Sequence, residues 1–265
     1  HFNLAVVYHA QGKLKLAIEG YKQALAYRQD YPAAHYNLGS SLYIQGNFIE
    51  AVNSYEQLLA LTPDNADAYN KLGIAYHAQG KLKEAIQSYK RALSLAPNLV
   101  QGSNNMGCAL CEQGEIEEAV ASFNQALKLK PDYAEAHCNL GNALKEQGLI
   151  EEAISSYRRT LALKPNYTDA YSNLLLTLHY STQIDSKSLF KEHLNWAERF
   201  KLNPDISHQF ANNKEPEKKL KIGYLSPDFR SHSIAYFLEP IFAHHNKEHF
   251  EIFCYSAVMR PDETT

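Results

Sequence analysis

Cysteine, methionine and tryptophan are scarce in these 265 residues, at four, two and one. The cysteines, Cys108, Cys111, Cys138 and Cys254, are too few and too unevenly spaced to staple a small secreted domain, which points to a reducing, cytoplasmic setting. Cys108 and Cys111 form a C-x-x-C with no second ligand pair at matching spacing, so they read as packing residues and no metal is expected. Strong charge of either sign is also lacking. A net charge of -3 provides no field for a nucleic-acid backbone, and nucleic acid is not an expected partner. No apolar run approaches the roughly 18 residues that a membrane-spanning helix needs, so no membrane partner is expected. The first residue is not Met and already falls inside a helical pattern, so a targeting segment cannot be judged.

What the sequence has instead is a repeat. The skeleton of AAHYNLGSSLYIQGNFIEAVNSYEQLLALTP returns every 34 residues, the period of stacked helix-turn-helix units. Leu38, Gly39, Gly46, Ala51, Tyr55 and Pro63 mark one copy; Leu72, Gly73, Gly80, Ala85, Tyr89 and Pro97 mark the next. Two further copies keep the register through Met106, Gly107, Gly114, Ala119, Phe123 and Pro131, then Leu140, Gly141, Gly148, Ala153, Tyr157 and Pro165. Small residues let two helices approach, an aromatic ring fills the gap, a glycine turns the chain and a proline stops the second helix. These marks resemble the tetratricopeptide pattern over residues 1 to about 180, and the expected fold is mainly α, a tetratricopeptide α-solenoid over 1–182.

The repeat also accounts for residues that would otherwise suggest chemistry. His1, His35 and His137 share one repeat position and His9, His77 and His179 another, so six of the twelve histidines are read as packing or surface positions. One recurring position is not so easily absorbed: Asn3, Asn37, Asn105, Asn139 and Asn173, with Lys71 interrupting the series. At about 100° per residue it lies away from the partner helix, on the face that stacked first helices turn to a groove. An amide offers both a donor and an acceptor, which suits the backbone of an extended protein or peptide substrate. A clamp for a terminal carboxylate would need basic residues at the adjoining position, which holds Phe2, Tyr36, Asn70, Asn104, Cys138 and Ser172.

The pattern fails in the sixth unit, where Lys187 and Lys191 replace the small and aromatic marks. Residues 186–200 read as a capping helix with Leu189, Phe190, Leu194, Ala197 and Phe200 as its apolar stripe, and Trp196 as a packing residue. Residues 203–219 are polar with two prolines, completing a connector over 183–218. Beyond it, 219–226 reads as a strand, SPDFRSHS as a turn, IAYFLEPIFAHHN as a helix bent near Pro240, and 249–258 as a second strand. This is the opening β-α-β unit of a parallel α/β domain, in which ligands gather beyond the strand C-termini, here Pro227 to Ser233.

The run KKLKIGYLSPDFRSHSIAYFLEPIFAHHNKEHFEIFCYSA resembles the start of the catalytic region of the O-linked N-acetylglucosamine transferases, nearer their bacterial and SPINDLY-like members than the animal enzymes. The resemblance implies a GT-B-like glycosyltransferase region beginning at 219–265, a nucleotide-sugar donor (UDP-N-acetylglucosamine, with GDP-fucose open) and protein substrates. It also places His232 on the acceptor side of the active-site cleft. An imidazole titrating near neutrality can take the proton from a Ser or Thr hydroxyl. Asp228 and Arg230 carry no catalytic expectation. Two strands and one helix cannot close an α/β core, so transfer is expected only from a longer protein. The competing reading is a non-enzymatic scaffold that collects protein partners, and homodimerisation stays open.

Overall fold

The computed structural model describes residues 1–200, 219–226 and 233–256, the side chains of 233–236 and 256 excepted. It divides into two compact units, His1–Lys201 and Leu202–Thr265.

In the first unit, helices alternate in antiparallel pairs: α1 (Phe2–Ala10) with α2 (Leu14–Tyr27), α3 (Pro32–Ile44) with α4 (Phe48–Leu61), and α5 (Ala66–Ala78) with α6 (Leu82–Leu95). The series continues with α7 (Val100–Gln113) and α8 (Ile116–Leu129), α9 (Ala134–Glu146) and α10 (Ile150–Leu163), then α11 (Thr168–Leu178) and α12 (Ser186–Arg199). The turn inside each of the first five pairs is closed by a glycine in the left-handed region, with φ from 71° at Gly12 to 86° at Gly46 and Gly114. A side chain is strained there, which explains why Gln-Gly recurs at these turns.

Between paired helices, Tyr55, Tyr89, Phe123 and Tyr157 are buried against the helical glycines opposite. A methyl at Gly39 would stand 2.8 Å from Tyr55 Cε1, and one at Gly73 only 2.6 Å from Tyr89 Cε1. Ala51, Ala85, Ala119 and Ala153 are fully buried beside them. The repeat marks are thus packing marks.

The cap helix α12 departs from the expected stripe. Leu189, Trp196 and Phe200 pack on the last core cluster, whereas Phe190 and Leu194 are exposed. Positions 189, 196 and 200 fall on one face at helical spacing; 190, 194 and 197 fall about 100° around the axis. Asp185 caps α12, its carboxylate accepting from Ser188 N at 2.9 Å and from Ser188 Oγ at 2.8 Å.

In the second unit, β1 (Leu220–Ser226) and β2 (Phe250–Ser256) pair in parallel, from Leu220 opposite Phe250 to Ser226 opposite Ser256, with α13 (Ser233–His244) between them in sequence. Pro240 lies inside α13. Tyr224 fixes the helix to the sheet: its ring meets Phe242 edge-on at 4.9 Å and its hydroxyl lies 2.7 Å from His245 Nε2.

Candidate functional site

Each first helix touches the next first helix, from α1 through α3, α5, α7 and α9 to α11, and no two successive second helices meet to the same extent. The first helices therefore form a continuous row, and the Asn series runs along it. Asn3 is exposed; Asn37, Asn105, Asn139 and Asn173 are half-buried.

Three of these amides are already engaged. Asn105 Nδ2 donates to Asn70 Oδ1 at 3.2 Å, Asn139 Nδ2 to Asn104 Oδ1 at 3.1 Å, and Asn173 Nδ2 to Asn142 Oδ1 at 3.0 Å. Asn139 Nδ2 also lies 3.4 Å from Cys108 Sγ. Every one of these bonds crosses from one repeat to the repeat before it, and none reaches a second helix. Asn142 is the busiest node, since its Oδ1 also accepts from Tyr157 at 2.7 Å. The periodic reading used Asn70 and Asn104 only to exclude a basic clamp, and it left Asn142 aside. Asn70 and Asn104 immediately precede the series position, which was a signal; Asn142 stands where Ser40 and Ile74 stand in other repeats and left none.

Beside Asn105 the row opens into a hollow of about 800 Å³, mouth included, bordered by Tyr43, Ile74, His77, Cys108 and Glu112. His77 Nε2 meets Glu112 Oε1 at 2.9 Å across α5 and α7. Tyr89 lies beneath, its hydroxyl buried and without a hydrogen bond among the described residues, because Ile74 stands where Ser40 approaches Tyr55 and Asn142 serves Tyr157. Burial, with Cys111 and Glu112 nearby, pushes the Cys108 thiol up to about 12, and burial likewise raises Cys111 to about 11. These thiols stay protonated at neutral pH, which suits packing rather than nucleophilic attack.

The other histidines of the series behave similarly. His9 Nδ1 lies 2.7 Å from Ser41 Oγ, while His35 Nε2 and His137 Nε2 contact the carbonyls of Gln29 and Pro131 at 2.9 and 3.0 Å. In the second unit, β1 and β2 end side by side at Ser226 and Ser256, and the chain leaving β1 leads to His232, which lies outside the described residues.

Tetratricopeptide-repeat models match residues 5–46, 39–80 and 107–148, and 66–99 and 134–167, together more than half of the chain. The chain is a tetratricopeptide-repeat protein. Its repeats run on into a second match, to glycosyl transferase family 41, over residues 183–265. Among curated relatives, the tomato (Solanum lycopersicum) and Arabidopsis thaliana proteins named "Probable UDP-N-acetylglucosamine--peptide N-acetylglucosaminyltransferase SPINDLY" are each 38% identical over 92 residues, 34% of this chain. The matched stretch is 10% of each relative's length. Among solved structures, a point mutant of Thermobaculum terrenum O-GlcNAc transferase superposes with a TM-score of 0.57 at 30% identity, covering 75% of this chain and 38% of that one. Among the described residues, no helix of this tetratricopeptide-repeat protein is long and apolar enough to cross a membrane.

Proposed function

We propose that the chain forms the substrate-collecting repeats and the catalytic opening of a protein O-glycosyltransferase. Its donor would be UDP-N-acetylglucosamine, with GDP-fucose the alternative, and its acceptors Ser and Thr hydroxyls of proteins held along the row of first helices. The single observation that carries the reading is the continuity of the repeat array with a family 41 segment in one polypeptide. On this reading the repeats occupy 1–182, a connector 183–218, and the catalytic region begins at 219.

The chemistry assigned to His232 is general-base catalysis. As the acceptor oxygen attacks the anomeric carbon, the bond from that carbon to the diphosphate oxygen breaks, the imidazole takes the hydroxyl proton, and the nucleoside diphosphate leaves. An imidazole is suited to the step because its ordinary pKa lies close to neutrality. Asn3, Asn37, Asn105, Asn139 and Asn173 would hold the substrate backbone. For the last three, the bond to the preceding repeat fixes the amide plane in advance, and a fixed amide binds at a lower entropic cost than a free one.

The same bonds favour a second reading, in which the amides only stack the repeats and the array is a scaffold. One experiment separates the two. The full-length protein is assayed for transfer from both donors to protein acceptors, as wild type, as His232→Ala and as Asn37→Ala/Asn139→Ala/Asn173→Ala. Transfer that drops by about 10²-fold or more in the histidine variant establishes the base. A loss confined to long protein acceptors in the asparagine variant establishes the groove. Protein binding without transfer from either donor would establish the scaffold instead.

A further inference from the structure

His9, His77 and His179 share a repeat position that holds Tyr43, Cys111 and Lys145 in the other units, and each presents an imidazole nitrogen to another helix. His9 meets a hydroxyl and His77 a carboxylate. His179, at the C-terminal end of α11, meets a second imidazole: its Nε2 and that of His193 on α12 lie 3.1 Å apart, with the rings inclined at 62° and their centroids 5.2 Å apart. Two neutral imidazoles can share that gap only through a single N–H, one ring donating and the other accepting.

The gap also suits a metal ion. Two metal–nitrogen bonds of about 2.05 Å at the tetrahedral angle put their nitrogens about 3.3 Å apart, close to the separation found here. The two imidazoles come from different helices, at the end of α11 and within α12, and already stand at nearly that separation. His179 is exposed and His193 half-buried, so the gap is open to solvent. The neighbouring charges leave it uncrowded: Glu192 faces Arg158 at 3.8 Å, and Glu151 accepts from Ser181 at 2.6 Å. Among the described residues no third His, Cys, Asp or Glu joins the pair, so water would complete the coordination.

We propose that His179 and His193 form a zinc-binding pair that staples the cap helix α12 to the last repeat. Imidazole nitrogen selects a borderline ion such as zinc over magnesium or calcium, which prefer oxygen. The staple has mechanical meaning because α12 contains no fully buried residue, and it rests on the repeats through Leu189, Trp196 and Phe200. A cross-link between helices that the ion binds only when they are together raises the stability of the docked state by mass action.

The test uses the full 265-residue chain, stripped with chelator and titrated with zinc chloride alone, against His179→Ala, His193→Ala and His35→Ala. We expect one site per chain, weakened at least tenfold by either of the first two substitutions and unaffected by the third. Saturating zinc should raise the melting temperature of the wild type and not that of His193→Ala, while magnesium leaves both unchanged. With copper(II) as a second probe, the spin-resonance spectrum should show coupling to two nitrogens in the wild type. Absence of zinc binding at 0.1 mM, or wild-type affinity in either alanine variant, would overturn the proposal.

Discussion

Tyr89 and Tyr157 occupy the same repeat position, both fully buried, and differ only in what the repeat places opposite the hydroxyl. Tyr157 donates to Asn142 at 2.7 Å; Tyr89 faces Ile74 and has no such bond. Burying a hydroxyl unpaired costs about 1–3 kcal/mol, whereas a bonded one contributes on the order of 1 kcal/mol. Phe123 shows that the position accepts a ring without a hydroxyl. Tyr89→Phe should therefore leave stability unchanged or raise it, and Tyr157→Phe should lower it by about 1 kcal/mol, as read from paired urea melts. Equal losses in both variants would mean that the Tyr89 hydroxyl has a partner. Gly73→Ala should be worse than either, because the added carbon meets Tyr89 at 2.6 Å and overpacking costs about 1–3 kcal/mol. These ring-on-glycine contacts were legible in the sequence, since Gly39 and Tyr55 recur together at fixed spacing. The bonds from Asn105, Asn139 and Asn173 were not, because they depend on how one repeat is rotated against the next, and nothing in a 34-residue period records that angle.

At the scale of the element, α12 shows both the reach and the limit of periodic reading. Its existence and extent over 186–200 followed from apolar spacing, but its buried face did not. The apolar residues span about 160° of the helix, and only contact with the last repeat selects Leu189, Trp196 and Phe200 over Phe190 and Leu194. Asp185 lends itself to a pH test. Hydrogen bonds first from the Ser188 backbone and then from its hydroxyl lower the carboxyl below its ordinary 3.8. A group depressed in the folded state adds stability that is complete above its unfolded value and is lost as pH falls through the folded value. Asp185→Ala should thus loosen the first turn of α12 at neutral pH, seen in its NMR shifts, and the difference from wild type should fade only below pH 3.8. A gap between the two proteins that persisted at full protonation would assign the effect to something other than the charged cap.

For the whole molecule, the repeat array makes stability local. The buried residues of the first unit fall into two clusters, Ala5–Ala75 and Ala85–Leu178, bridged by Tyr76, which packs against both. Trp196, the chain's one tryptophan, sits on the cap at the far end. Arrays in which each unit touches only its neighbours need not melt all at once. Urea titration followed by tryptophan fluorescence should therefore give a lower midpoint than far-ultraviolet circular dichroism, with the cap leaving first. Coincident transitions would show instead that the six helix pairs unfold as one cooperative body. The fold class was readable at this scale because the period was long and repeated. His232 was marked by a short run of sequence alone, SPDFRSHS, rather than by any period.

The glycine elbows at Gly12, Gly46, Gly80, Gly114 and Gly148 share nearly one backbone angle, and the aromatic knobs behind them share one seat. Any unit consequently ends in the surface on which the next begins. Recombination between misaligned copies of the gene can then delete or duplicate 34 codons and still yield matching joints, so lineages can lengthen or shorten this array by whole units while the family 41 segment beside it stays unaltered.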